Sequence, residues 1–402
     1  VLRLYLVKTG SCALEGEWLV KSGLQAFPAG GERGIMGLAV KRRNDPVKHS
    51  FSQRAIALAS AAVLCGGLSA CKSSSGGGTV QLSGAGSTFV NPVMSRWTAA
   101  YQQAHSNVEI NYQSIGSGGG IQHVKNQSVD FGASDAALSD KERAAMTPVI
   151  LIPETSGPVC ITYNLPSISE PLQISPDVLT GMFLGTIKKW NDPKVAKDNP
   201  GVKLPDLPVV IVHRAESSGT TSIFTTYLAA VSPEWKTKIG AGKSVSWPVG
   251  LGGKGNEGVT GQIKQSPGAL GYVELAYAVE NKLPLAKIEN QAGKYIAPSA
   301  AGTTASIAAF ATELAQNPAT PIVNPPASAA DAYPISGLTF LIIPTDGPDK
   351  AKRTALKGFL EYIINDGQAA AADLNYAPLP DSVKQYDETQ LKTLTAAGQP
   401  IQ

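Results

Sequence analysis

The chain is poor in the residues that most enzyme chemistry needs. Of its 402 residues only four are cysteine and four histidine, and charged side chains make up 16% and aromatics 6%. His49, His105, His123 and His213 show no HExxH or other paired spacing and no cysteine pair assists them, which disfavours a metal enzyme. The absence of a GxSxG elbow removes local support for an α/β-hydrolase nucleophile. GAGSTF, Gly84 to Phe89, starts like a dinucleotide-binding turn but has Phe89 where a third glycine is required, and GSGGGI has Ile121 there. IGAGKS, Ile239 to Ser244, looks like the end of an ATPase phosphate loop, yet Thr237 stands five before Gly242 where glycine is needed.

A positive body is missing too. The net charge of +3 arises in residues 1–70, which hold nine Lys and Arg against four Asp and Glu; the remainder has 25 basic and 27 acidic residues. A slightly acidic body argues against nucleic-acid binding, and any anion it binds must be held by local dipoles and one or two charges.

The apolar run Ala55 to Gly67 is too short for a membrane span, which needs about twenty residues. With Lys48 and Arg54 before it and LSAC at its end, it reads as a lipoprotein signal peptide over 47–70, cleaved before a lipid-bearing Cys71. Residues 71–78 then form a flexible Ser/Gly tether. Residues 1–46 have no core periodicity and read as a non-native upstream extension, with Val47 a candidate initiator. Cys12 and Cys65 fall in this leader and Cys160 is alone in an apolar run, so the mature body forms no intramolecular disulfide and Cys160 is a small core residue.

What the chain does have is glycine, 41 residues of it, concentrated with Ser and Thr in four short segments: GAGSTF, GSGGG (Gly116 to Gly120), DFGASD (Asp130 to Asp135) and RAESSGT (Arg214 to Thr220). Each ends where a helical pattern can begin. Together they supply hydroxyls, free backbone N–H groups, a guanidinium and a carboxylate, the groups a buried oxyanion requires.

Around them, short apolar runs alternate with helical stretches. Val90, Val93, Met94, Trp97 and Tyr101 fall on one helical face after Asn91 and Pro92, as do Ile223, Phe224, Tyr227 and Leu228 after RAESSGT. VEINYQS predicts a strand running into a glycine-rich turn, with a helix from Ile121. VILIPE and GPVCITYNLP predict two central strands, and Ser139 with Glu142 predicts a capping box. The Ala/Thr/Pro-rich stretch from Ser299 to Ala332, partly helical at SIAAFATELAQ and partly extended at PATPIVNPPA, reads as an inter-domain connection, and the last clear helix spans about Lys350 to Asn365. The alternation predicts an α/β protein with crossover connections.

These segments, together with LGTIKKWND, WPVGLGGKGNEG, PGALGYVELAYA and LNYAPLPDSV, closely resemble the phosphate-binding component of bacterial Pst-type ABC transporters, over more than three quarters of the chain. The resemblance implies a type II periplasmic binding-protein fold, two α/β lobes joined by two crossover strands with the ligand in the cleft between them. Lobe I is expected at 79–161 and 330–402, lobe II at 162–329. It implies phosphate ligands at Thr88, Phe89, Ser117, Asp135, Arg214, Ser218, Gly219 and Thr220, with Glu216 orienting Arg214. The family usually has Asp-Gly where this chain has Glu216-Ser217. It further implies no catalysis, no cofactor and no metal. The expected state is a monomer in the periplasm or cell envelope, held to the membrane only by a lipid on Cys71 and serving a permease with separate ATPase subunits. Phosphatase or phosphotransferase activity, and a receptor for sulfate, molybdate or phosphonate, are the competing readings.

Asp135 separates the ligands. A carboxylate facing an anion is repulsive unless the anion brings a proton to share; both ionic forms of phosphate carry a P–OH at neutral pH and sulfate does not.

Overall fold

The computed structural model describes residues 78–401, so the expected upstream extension, signal peptide, Cys71 and nearly all of the tether lie outside the described residues. Thirteen strands succeed one another in the described residues: β1 (Val80–Gly86), β2 (Val108–Ser114), β3 (Phe131–Ser134), β4 (Val149–Tyr163), β5 (Gln173–Ile174), β6 (Val210–Arg214), β7 (Leu251–Gly253), β8 (Ala269–Glu274), β9 (Lys287–Glu289), β10 (Tyr295–Ile296), β11 (Ser336–Pro344), and the short C-terminal pair β12 (Thr395–Ala396) and β13 (Gln399–Pro400). Eight of them form one sheet in the order β2-β1-β3-β11-β4-β8-β6-β7, and β10-β9-β5 form a small second sheet. No helix among the described residues is long and apolar enough to cross a membrane.

The large sheet has two halves because β4 changes partner along its length. Val149 to Pro158 pair antiparallel with β11, which pairs in turn with β3; Val159 to Tyr163 pair antiparallel with β8. On one side β1 lies parallel between β2 and β3, and on the other β6 lies parallel between β8 and β7. VILIPE and GPVCITYNLP are therefore one strand of 15 residues rather than two. Pro153 and Pro158 lack an N–H, which signals a strand end in the sequence, yet the backbone stays extended through both because β11 supplies a continuous partner.

Helices cover the sheet. In Asn91–Ala104, Val93, Met94, Trp97 and Tyr101 are buried, and the Trp97 indole donates to the Gly367 carbonyl at 2.7 Å. Burying such a ring contributes about 3 kcal/mol or more. In Gly219–Val231 the four apolar residues singled out above are buried as well. The Ser139/Glu142 capping box forms at the start of Asp140–Ala144. Cys160 is buried and free, and burial pushes its thiol up.

Two expectations are corrected. GSGGG is not a turn: the helix Ser117–Lys125 begins at Ser117, and Gly118 to Gly120 lie within it. Glycine is needed there because a Cβ on Gly120 would come within 2.6 Å of the Ala85 carbonyl oxygen, and one on Gly118 within 2.4 Å of Ser217. The helical reading of SIAAFATELAQ holds, with helices Ala300–Ala309 and Ala311–Gln316, whose Ile307 and Leu314 share an apolar cluster with Leu338 and Phe340 of β11. Lys350–Ile364 is followed by two further helices, Gly367–Asp373 and Asp381–Leu391.

Candidate functional site

The four Gly/Ser/Thr segments meet where the two halves of the large sheet face each other. GAGSTF carries β1 into the helix Asn91–Ala104. Gly86 has φ 145°, and a Cβ there would lie 2.1 Å from the Ala133 carbonyl oxygen, so only glycine lets β1 and β3 approach this closely. The turn that follows carries buried hydroxyls: Ser87 Oγ accepts from the Phe89 N–H at 3.0 Å, and donates to Asp135 Oδ1. Thr88 Oγ1 accepts from the Asn256 side-chain amide at 2.8 Å and its backbone N–H at 3.2 Å, while the Thr88 carbonyl accepts from the Tyr277 hydroxyl at 2.6 Å.

Ser117 opens its helix with its side chain buried. Its Oγ accepts from the Gly219 N–H at 3.0 Å and the Asp135 N–H at 3.3 Å. Gly219 in turn starts the helix Gly219–Val231, whose cap is Ser218, accepting from the Thr221 N–H at 3.1 Å. Two helix N-termini thus converge on Asp135, each a source of partial positive charge.

Arg214 ends β6 and is 3% exposed. Its Nη1 donates to Thr220 Oγ1 at 3.2 Å, and the Thr220 hydroxyl donates onward to Asp135 Oδ2 at 3.3 Å. Its Nε donates to Glu216 Oε1 at 2.8 Å and Nη2 donates to the same oxygen, which also accepts from the Gly255 N–H at 3.0 Å. The longer acid in place of the family's Asp still grips the guanidinium, but through one oxygen; Glu216 Oε2 is buried without a partner. From behind, the Tyr272 hydroxyl lies 3.2 Å from the Arg214 N–H, and burial raises that phenol to about 12.

Asp135, 4% exposed, is where these lines meet. Burial pushes its carboxyl up to about 6, opposed by the Ser87 hydrogen bond and the charge of Arg214. It is therefore mostly ionised at neutral pH and is an acceptor. The carboxylates of Asp135 and Glu216 outnumber the one guanidinium, so a guest anion must be held chiefly by hydroxyls, N–H groups and helix ends. The described residues contain no group of three or more His, Cys, Asp or Glu placed to hold a metal.

All nine candidate residues within the described part of the chain lie in this cluster; Cys71 falls outside the described residues. The Phe89 N–H is directed to Ser87 rather than left open. Ser87, Asn256 and Tyr272 join the cluster although the sequence does not single them out. Ser87 sits inside GAGSTF and Asn256 inside WPVGLGGKGNEG, so the motifs contained them, but neither spacing nor composition distinguishes a ligand-facing Asn from a turn Asn.

Comparison with known proteins agrees in sequence and in fold. A family model described as the PBP superfamily domain matches residues 73–367. The chain is 43% identical over 312 residues to the phosphate-binding protein PstS of Xylella fastidiosa strain Temecula1, covering 77% of this chain and 84% of that one. To PstS of Pasteurella multocida it is 39% identical, covering 78% and 90%. Among solved structures, a high-affinity periplasmic phosphate-binding protein, PfluDING, bound with phosphate superposes with a TM-score of 0.61 at 23% identity, covering 77% of this chain and 93% of that chain. A putative phosphate ABC transporter substrate-binding protein from Clostridium perfringens gives 0.53 at 16% identity, covering 75% and 100%. The fold is accordingly that of the type II periplasmic binding proteins, and the chain belongs to the PstS family.

Proposed function

We propose that this protein binds inorganic phosphate outside the cytoplasm, in the cleft between the two halves of its large sheet, and delivers it to an ABC-type permease driven by separate ATPase subunits. The observation that carries this reading is the Asp135 cradle, with hydroxyls of Ser87 and Thr220 on its carboxylate and the Gly219 N–H beside it, in a chain 43% identical to a PstS protein. The family is one of transport receptors and not of enzymes.

Thr88, Phe89, Ser117, Asp135, Arg214, Ser218, Gly219 and Thr220 are the phosphate ligands in this reading, and Glu216 orients Arg214. Asp135 accepts the P–OH proton and thereby rejects sulfate. In this reading lobe I is 79–161 with 330–402 and lobe II is 162–329, the chain passing from one to the other within β4; Ile307 and Leu314 share an apolar cluster with Leu338 and Phe340 of β11, which supports close packing of 300–329 against lobe I. Phosphate bridges the lobes and shifts the population toward the closed form, since contacts to both lobes exist only there. The receptor acts as a monomer, exported by the 47–70 signal and held at the membrane by a lipid on Cys71.

Calorimetric titration of protein stripped of endogenous ligand tests the reading. Phosphate and arsenate are expected to bind with sulfate failing to compete; equal binding of sulfate, or hydrolysis of simple phosphoesters, overturns it.

A further inference from the structure

A second buried acid lies beneath the anion site. The β4–β11 ladder slips by one residue: Thr339 pairs with Thr155 and Phe340 with Pro153, leaving Glu154 as the extra residue of a β-bulge. A bulge re-aims the side chain it carries, and bulges recur beside functional sites. Glu154 is fully buried. Its Oε1 accepts from Thr339 Oγ1 at 2.9 Å, its carbonyl accepts from Gln368 Nε2 at 2.9 Å, and its Oε2 has no partner.

The groups around it are neutral or negative. Thr339 on β11, whose hydroxyl is given to Glu154, lies between the two acids; the Asp135 charge reaches Glu154 from the loop after β3, and both carboxyls lie near the Tyr112 phenol of β2. No Lys, Arg or His among the described residues pairs with Glu154. An ionised carboxylate so deeply buried and without a counter-charge is costly, a state that a buried acid avoids by keeping its proton.

We propose that Glu154 is a positioning residue of the anion site, a neutral carboxylic acid whose proton keeps a further negative charge away from Asp135 and the bound anion. The inference rests on the phosphate reading above. Burial, reinforced by the Asp135 charge, pushes Glu154 up to about 8. Ionising it at higher pH adds a negative charge beside a bound oxyanion and weakens binding.

The test is a phosphate titration of the purified protein at pH 7, 8, 9 and 9.5, with Glu154→Gln and Glu154→Met alongside. The readout is each protein's ratio of affinity at pH 7 to that at pH 9. Linkage sets the expected loss in the native protein at up to about tenfold per pH unit above the Glu154 pKa, and this alkaline loss should shrink in both variants. Equal ratios in all three proteins, or an undiminished native affinity at pH 9, overturns the proposal. An infrared difference spectrum, native minus variant at pH 7, gives an independent reading: a protonated-carboxyl band supports the inference and a carboxylate band overturns it. Failure of the native protein to bind phosphate at any pH sinks the functional reading instead, and the spectrum still decides the state of Glu154.

Discussion

The hydroxyl of Ser117 accepts a hydrogen bond from the Gly219 N–H at 3.0 Å, joining the first residues of two helices that belong to opposite halves of the sheet. Such a contact exists only where no side chain intervenes. A Cβ on Gly219 would lie 2.6 Å from both Ser117 Oγ and Asp135 Cβ. Gly219→Ala is therefore expected to hold the halves apart, costing about 1–3 kcal/mol of phosphate affinity through overpacking while leaving the thermal midpoint without ligand nearly unchanged. Calorimetry and a melting curve check it; unchanged affinity would show that closure does not bring these groups together.

Asp135→Asn turns an acceptor for the ligand's proton into a side chain that also donates. Sulfate binding is expected to appear in this variant and phosphate preference to fall. The native protein should show the same trend with acid: Asp135 titrates at about 6, so lowering pH through that value protonates it and lets sulfate compete. In Asp135→Asn, sulfate competition loses that pH dependence. Competition titrations at pH 5 and 8 check both arms.

Thr88 and Asn256 are joined by two hydrogen bonds, at 2.8 and 3.2 Å, between the first and second halves of the sheet. Thr88→Val keeps the shape, removes the acceptor and leaves the buried amide of Asn256 short of a partner, a loss of about 1–3 kcal/mol. Phosphate affinity should drop accordingly, read by titration, with Thr88→Ser restoring most of it.

Stability should decline toward alkaline pH. Glu154 and Glu274 are raised by burial from 4.5 to about 8 and Asp387 from 3.8 to about 9, so the folded state favours their protonated forms. Their contribution is fully present below the unfolded values and is lost as pH rises through the folded ones, on the order of 1 kcal/mol per pH unit for each group within that window. Neither carboxyl oxygen of Asp387 has a partner, which makes Asp387→Asn the informative variant. Urea midpoints should fall from pH 5.5 to 9 in the native protein and less steeply in Asp387→Asn.

The parts of this site legible in the sequence are those set by short-range chemistry. GAGSTF, GSGGG and RAESSGT announce themselves because helix starts near an anion need glycine and hydroxyl residues in a row. The helical face of Val93, Met94, Trp97 and Tyr101 is legible for the same reason, since its spacing is local. Three features were hidden because they depend on partners distant in the chain. The unity of β4 depends on β11, almost 200 residues away, which carries an extended backbone through Pro153 and Pro158. The roles of Asn256 and Glu154 depend on Thr88 and Thr339, which no window of sequence contains. The clustering of Ile307 with Phe340 likewise depends on β11, so a helix legible in SIAAFATELAQ gives no sign of what it packs against.

Lys243 offers a way to alter closure without touching the cradle. Its Nζ lies 2.8 Å from Glu142 Oε2, with the two side chains 16% and 27% exposed, and Glu142 belongs to the first half of the molecule while Lys243 follows the helix Pro233–Lys238 in the second. Both partners are fixed in advance. The Glu142 carboxylate also accepts from the Ser139 N–H at 2.9 Å and hydroxyl at 2.8 Å, and the Lys243 carbonyl accepts from the Ser218 N–H at 2.8 Å. Little side-chain entropy is then lost in forming the pair, so it should sit toward the upper end of exposed ion pairs, about 1 kcal/mol. Lys243→Met is expected to weaken phosphate binding by about fivefold, mainly through faster release, because a contact present only in the closed form raises the barrier to opening. Added salt should reduce native affinity more than that of Lys243→Met, and exchanging the two charges as Lys243→Glu with Glu142→Lys should recover part of the loss. Stopped-flow release rates at two salt concentrations decide it: identical rates for the native protein and Lys243→Met would mean that the pair contributes nothing to holding the closed form.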